Sequence, residues 1–141
     1  MVFMASFATA QAGGGIETIH QYEGTSSYAN FGGNCGFLGD VNGDGHDDFF
    51  IGNSSATING VASCGEVWVR SGIDGSVLHY IAGTQNSEWV GREIEYAGDV
   101  DGDGCDDFSL GRNSPIGVDL ISGASGTLLH HWPLLAFIPG H

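Results

Sequence analysis

Two stretches of this chain carry oxygen-bearing side chains at a spacing that suits a hard divalent cation. Gly39-Asp40-Val41-Asn42-Gly43-Asp44-Gly45-His46-Asp47-Asp48-Phe49 returns as Gly98-Asp99-Val100-Asp101-Gly102-Asp103-Gly104-Cys105-Asp106-Asp107-Phe108, identical at nine of eleven positions and offset by 59 residues (99 minus 40). Each copy has the form D-x-[DN]-x-D-G-x-x-D, with oxygen ligands at positions 1, 3, 5 and 9 and a glycine at 6. Ca²⁺ takes about six to eight oxygen ligands, and alternate residues of a tight loop aim their carboxylates at one point. Glycine at position 6 reaches positive φ without strain and so permits the sharp turn.

The charge balance supports the same chemistry. Seventeen acidic residues face three arginines, Arg70, Arg92 and Arg112, with no lysine, for a net charge of -14. Nine of those acids lie inside the two loops: Asp40, Asp44, Asp47, Asp48, Asp99, Asp101, Asp103, Asp106 and Asp107. Carboxylates crowded so closely repel one another unless a cation neutralises them. The other eight acids read as a solubilising surface. A nucleic-acid partner is excluded by the missing basic patch. Asp47 and Asp106 fall between ligand positions and are expected either to face solvent and attract the cation at long range, or to cap the following turn. An EF-hand or a dockerin shares the start of the pattern but needs a carboxylate at position 12 and flanking helices. Ile51 and Leu110 stand at that position, in β-rich sequence.

Other chemistry finds little support. Cys35, Cys64 and Cys105 lack zinc-site spacing; Cys35 and Cys64 pair, or all three thiols are free. His20, His79 and His130 recur at one place in three successive strands, which marks a packing feature, and His131 and His141 belong to the C-terminal region. Trp68, Trp89 and Trp132 serve core packing or sugar stacking. Gly123-Ala124-Ser125-Gly126 is a turn and not a nucleophile elbow. Glu88, Glu93 and Glu95 offer carboxylates but no acid pair of defined geometry. The expectation is therefore no catalytic residue, no organic cofactor and no enzyme activity.

The elements that must position the loops are strands. Helical periodicity is nearly absent, and short β-rich runs bounded by glycine and aspartate recur. The first repeat reads as strands at Gly36 to Leu38, Asp48 to Ile51, Glu66 to Arg70 and Val77 to Ile81, with a turn at Ile73-Asp74-Gly75-Ser76. The second reads as Glu95 to Ala97, Asp107 to Leu110, Val118 to Ile121 and Leu128 to Trp132, with a turn at Ala124-Ser125-Gly126-Thr127 and a shorter connection between its second and third strands. Ile16 to Tyr22 matches the outer strand of the first repeat at the same 59-residue offset. Four antiparallel strands per repeat describe a β-propeller blade. The fold class is all-β, with about two blades plus one or two extra N-terminal strands. The expected divisions are residues 15–82 for the outer strand and first blade, 83–135 for the second blade and 136–141 for a tail.

Phe31-Gly32, the Gly-Asp-Val-Asn-Gly-Asp-Gly-x-x-Asp core, Ile51-Gly52 and the Val-x-Val-x-Ser-Gly strand Val67 to Gly72 resemble the FG-GAP repeats of integrin α-subunit propellers and their bacterial relatives. The resemblance covers roughly residues 15 to 132. In the second copy Val90-Gly91 replaces the Phe-Gly signature, and the Gly-Ala-Pro element is reduced to Gly52-Asn53-Ser54 and Gly111-Arg112-Asn113. In that family a calcium loop joins the first two strands of a blade. The implied ligands are the side chains of Asp40, Asn42, Asp44 and Asp48 with the carbonyl of His46, then Asp99, Asp101, Asp103 and Asp107 with the carbonyl of Cys105. Two Ca²⁺ sites follow. The resemblance also implies a non-catalytic, extracellular role in adhesion, surface assembly or filament formation, with ligand contacts on loops opposite the calcium hairpins, above all Asn53 to Gly65. A carbohydrate-binding module or accessory domain of a secreted hydrolase is the alternative.

Residues 1–14 read either as the end of a secretory signal, with Ala10-Gln11-Ala12 as a cleavage site, or as a strand of a preceding repeat, with Phe7 to Gly15 laid over Val67 to Gly75. No apolar run reaches the length of a transmembrane helix. Asn53-Ser54-Ser55 is a glycosylation sequon if the chain is secreted by a cell that uses it. Two blades leave edges and apolar faces open, so self-association, through donation of the surplus strand Ile16 to Tyr22 or otherwise, is the expected partnership. Glycans or surface proteins are further partners to expect.

Overall fold

The computed structural model describes residues 4–10, 16–23 and 31–134, with the side chains of Tyr22 and of residues 31–134. Every regular element among them is a strand: β1 Met4–Ala10, β2 Ile16–Glu23, β3 Phe31–Gly39, β4 Asp48–Asn53, β5 Glu66–Arg70, β6 Val77–Ala82, β7 Ile94–Gly98, β8 Asp107–Asn113, β9 Ile116–Ile121 and β10 Leu128–Pro133. They form a β1-β2 hairpin and two four-stranded sheets, β3-β4-β5-β6 and β7-β8-β9-β10. All pairings are antiparallel between sequence neighbours. Each four-stranded sheet is thus one propeller-type blade, and the described residues do not close a ring.

Glu66–Arg70 has the bounds the sequence predicts, and the other strands of the two blades run longer. β3 begins at Phe31 because Phe31 pairs with Asn53 of β4 across a bulge at Gly32 and Gly33, and a second irregularity falls between Phe37 and Gly39. Glycine is poor strand material by itself, but ladder hydrogen bonds and a buried neighbour override that preference. The N-terminal stretch is likewise strand, from Met4 to Ala10, and pairs with β2; residues 1–3 and 11–15 lie outside the described set.

Alternation puts two apolar surfaces on the first blade. Phe50, Val67 and Val69 face the second blade and join Leu38, Val41, Val90, Ile94, Phe108, Leu110 and Ile121 in one core. Phe49 and Ile51 face the other way, with Phe31, Trp68 and Tyr22. Tyr22 therefore seats the N-terminal hairpin on the first blade, its hydroxyl donating to the Gly75 carbonyl at 3.0 Å and its ring lying 4.2 Å beneath the Arg70 guanidinium. Each fully buried Val, Leu or Phe contributes about 1.5 to 3 kcal/mol. The core between blades is what fixes the two acidic loops relative to each other.

The connection from Asn53 to Gly65 is ordered. It buries Ala56 and Cys64 and receives backbone hydrogen bonds from Ser87, Trp89 and Val90 of the segment leading into the second blade. Asn53 itself is buried, its amide donating to Glu66 at 2.9 Å. A sequon asparagine in that position is not presented for glycosylation. All three cysteines are free thiols, so the alternative of a Cys35–Cys64 disulfide is not realised.

Candidate metal-binding loops

Each acidic loop joins the first strand of a blade to the second, β3 to β4 and β7 to β8. The loops hold themselves in shape by turning backbone N–H groups onto their own aspartates. Asp40 accepts from Asp44 and Gly45 at 3.0 and 2.7 Å, and the Oδ1 of Asp44 accepts from His46 at 2.9 Å. In the second loop Asp99 accepts from Gly102, Asp103 and Gly104 at 2.7, 3.0 and 2.9 Å, and Asp103 accepts from Cys105 at 2.9 Å. Position 3 contributes in both, since Asn42 and Asp101 each accept from the position-5 amide at 3.1 Å. Gly45 and Gly104 adopt φ of 87° and 91°, the left-handed turn required at position 6.

Carboxylate oxygens of Asp99, Asp101 and Asp107 lie within 4.8 Å of one another. An oxygen-only donor set on a flexible loop matches Ca²⁺ better than softer metals. The corresponding first-loop residues are Asp40, Asn42 and Asp48, with an amide oxygen in place of the middle carboxylate. Asp44 and Asp103, at position 5, are exposed on the loop tips.

Position 9 differs from the others in burial. Asp48 and Asp107 are both fully buried, and each uses its two oxygens to tie its loop to the β-turn that joins the last two strands of the same blade. Asp48 accepts from Val41 at 2.9 Å and from Gly72 at 3.0 Å; Asp107 accepts from Val100 at 2.8 Å and from Gly123 at 3.0 Å. Burial pushes the Asp48 carboxyl above the ordinary aspartate range, while hydrogen bonds from Gly72 and Val41 resist the shift and the Asp44 charge adds to it. Asp101 is also raised, by partial desolvation and by the charges of Asp103, Asp107 and Asp99. Desolvation, with the charges of Asp103, Asp40, Asp99 and Asp107, holds the Cys105 thiol protonated to higher pH, which leaves its carbonyl as the group suited to a hard cation.

The two aspartates at position 8 have different surroundings. Asp47 is exposed, as expected, but Asp106 is partly buried and does not simply face solvent. Its carboxylate accepts from the Asp40 amide at 2.9 Å and from the Tyr96 hydroxyl at 3.4 Å.

The remaining polar residues singled out in the sequence are structural. Glu88 is buried and accepts from Thr84 and Gln85 while pairing with Arg112, which also pairs with Asp119; His131 lies on that same Asp119. Glu93 and Glu95 are exposed. His79 meets the Gly123 carbonyl, and Trp68 packs on Tyr80 with ring centres 4.3 Å apart. The Arg112 network was not legible from spacing, because its acids come from different strands and loops. At the end of the second blade, Trp89, Arg92, Arg112, Asn113 and Trp132 line an open cavity of about 290 Å³.

The FG-GAP repeat family model matches residues 37–69, from the end of β3 through the first acidic loop and β4 to β5. The first blade carries an FG-GAP repeat, in agreement with its propeller-type architecture. No curated protein matches it. No helix among the described residues is long and apolar enough to cross a membrane.

Proposed function

We propose that the chain is a calcium-stabilised, extracellular β-propeller-type module that acts in adhesion, surface assembly or filament formation and is not an enzyme. The observation that carries this reading is the convergence of Asp99, Asp101 and Asp107 in a loop whose pattern recurs in the FG-GAP-matched blade. Asp40, Asn42, Asp44 and Asp48, with the His46 carbonyl, would hold one ion; Asp99, Asp101, Asp103 and Asp107, with the Cys105 carbonyl, would hold the other. Calcium there supplies the positive charge that the loops lack, so its binding free energy adds to folding free energy. Calorimetric titration should show two sites that prefer Ca²⁺ to Mg²⁺, with Kd on the order of 0.1 to 1 mM, the range of extracellular modules. Absence of heat with Ca²⁺, or an equal response to Mg²⁺, refutes the reading.

The raised carboxyls give a pH signature. A folded-state pKa above the unfolded value means that the metal-free fold holds the Asp48 proton more tightly, so mild acidification toward the ordinary aspartate range stabilises that state through this group. The calcium-loaded state must give up its ion to take the proton, so the same acidification destabilises it. Melting curves between about pH 7 and pH 4.5 should therefore slope in opposite directions with calcium and with chelator. Parallel slopes would show that calcium does not compete with protons for the loop carboxylates.

Self-association is part of the proposal. The face of the first blade that is buried by the second has a counterpart on the second blade that the described residues leave partly open, with Leu120 buried but Val100 and Val118 exposed. Val41 is 0% exposed and its counterpart Val100 is 56% exposed; Val67 is 0% exposed and its counterpart Val118 is 41%. A further blade face from another copy would cover this surface. Light scattering in calcium should give a mass above the monomer, and Val118→Asp should return it to the monomer. A calcium-loaded wild-type monomer would remove assembly from the proposal.

The cavity beside Trp89 and Trp132 favours a second reading, carbohydrate recognition. Binding on a glycan array that is lost in Trp89→Ala would support it.

A further inference from the structure

We propose that Asp106, which is outside the ligand set, is a positioning residue that couples the two loops, so that filling one raises the calcium affinity of the other. The inference rests on the calcium reading above and extends it from two sites to a coupled pair.

The geometry is a reciprocal bridge. The Asp106 N–H donates to the Asp40 carbonyl at 2.8 Å, and the Asp40 N–H donates to the Asp106 carboxylate at 2.9 Å. Asp40 is position 1 of the first loop; Asp106 lies between Cys105 and Asp107, two ligand residues of the second. A cation in the second loop would fix residues 105–107, and through the bridge it would fix the backbone from which the Asp40 carboxylate projects. A loop whose first ligand is already ordered loses less conformational freedom on binding, which appears as positive coupling. The same free energy must act in the reverse direction.

The surroundings are built for this contact. Gly39 has a φ of 77°, and a side chain there would run into the Asp106 carboxylate and the Tyr96 ring. At its counterpart Gly98 the nearest contact is the Tyr96 hydroxyl at 3.5 Å, so no such closure exists. Asp47, the position-8 residue of the first loop, is exposed and makes no bridge to another loop among the described residues. Direct repulsion between two bound cations opposes coupling and weakens as salt is raised. Hydrogen-bonded coupling survives higher salt, whereas electrostatic anticoupling fades.

The test compares each site alone with each site in company. With the second loop disabled by Asp103→Ala, the first should bind calcium roughly fivefold or more weakly than in the wild-type protein, and Asp44→Ala should weaken the second by the same factor. Asp106→Ala removes the carboxylate half of the bridge and leaves the backbone half, so it should weaken the coupling. Asp106→Asn keeps an oxygen for the Asp40 amide and should restore coupling, while Asp47→Ala removes the same charge and should leave coupling intact. Hydrogen exchange gives a direct readout: in Asp44→Ala, calcium should still slow exchange of the Asp40 amide, and in Asp44→Ala/Asp106→Ala it should not. Should Asp106→Ala fail to fold, the single-loop comparison and Asp106→Asn still decide. Two sites with unchanged affinity when the other is disabled would overturn the coupling and leave the calcium reading standing; no calcium heat in any variant would overturn both.

Discussion

In chelator, Asp48→Ala is expected to lower the unfolding free energy by about 2 to 4 kcal/mol, whereas Asp44→Ala is expected to change it by less than about 1 kcal/mol. The difference follows from burial. Asp48 is fully buried and accepts from Val41 and Gly72, so truncation leaves two donors without a partner, at about 1 to 3 kcal/mol each when buried. Relief of the buried charge offsets part of that loss. Asp44 is exposed, and its side chain bonds only within its own loop, to Asn42 and His46. Calcium reverses the comparison for the exposed residue. At about 10 mM Ca²⁺ and a Kd on the order of 0.1 to 1 mM, each occupied site adds about 1.4 to 2.7 kcal/mol, and Asp44→Ala should forfeit one such increment. Asp48→Asn separates the two roles of position 9, since it keeps one acceptor and drops the charge. It should be milder than Asp48→Ala in chelator and still lose the calcium increment. Urea unfolding of the variants, with and without calcium, measures all of these, and equal losses for Asp44→Ala and Asp48→Ala in chelator would refute the assignment.

Gly123→Ala is expected to cost about 3 kcal/mol or more, among the largest effects of any single methyl in the chain. Gly123 donates to buried Asp107, and a methyl on it would collide with the Asp106 carbonyl and come within 3.0 Å of Val41 Cβ. Backbone cannot rotate away as a side chain can. The turn would have to withdraw, breaking the Asp107 bond and opening the core between blades beside Val41. Gly72→Ala should behave alike in the first blade, where the Asp47 carbonyl blocks the methyl. Gly60→Ala is the control: it has a φ of 81° but nothing within 4 Å. It should cost only the left-handed backbone penalty, roughly 1 to 2 kcal/mol. Thermal melts that rank Gly60→Ala level with Gly123→Ala would show that the turn is not tightly packed on the loop.

The sequence by itself determined the features that local chemistry dictates. The loop pattern, its glycine at position 6 and the 59-residue offset identify two hairpins of the same kind. Period-two runs bounded by Asp and Gly identify the strands, because alternation and turn chemistry act within a few residues. Strand ends were less legible: β3 reaches back to Phe31 across a bulge at Gly32 and Gly33, since pairing of Phe31 and Asn34 with β4 and not intrinsic propensity sets its start.

What only the tertiary structure decided is how identical local sequences acquire different surroundings. Asp47 and Asp106 both stand before the buried aspartate of a Gly-x-Asp-Asp-Phe run, yet one is exposed and the other grips the neighbouring loop. Val41 and Val100 share loop position 2, yet one is buried and the other open. In each pair the difference arises from the adjacent blade, which lies beside Val41 and brings Asp40 to Asp106. A residue's place in a repeat is written in its own few neighbours along the chain, but its burial and its partners depend on what the stacked repeat sets against it.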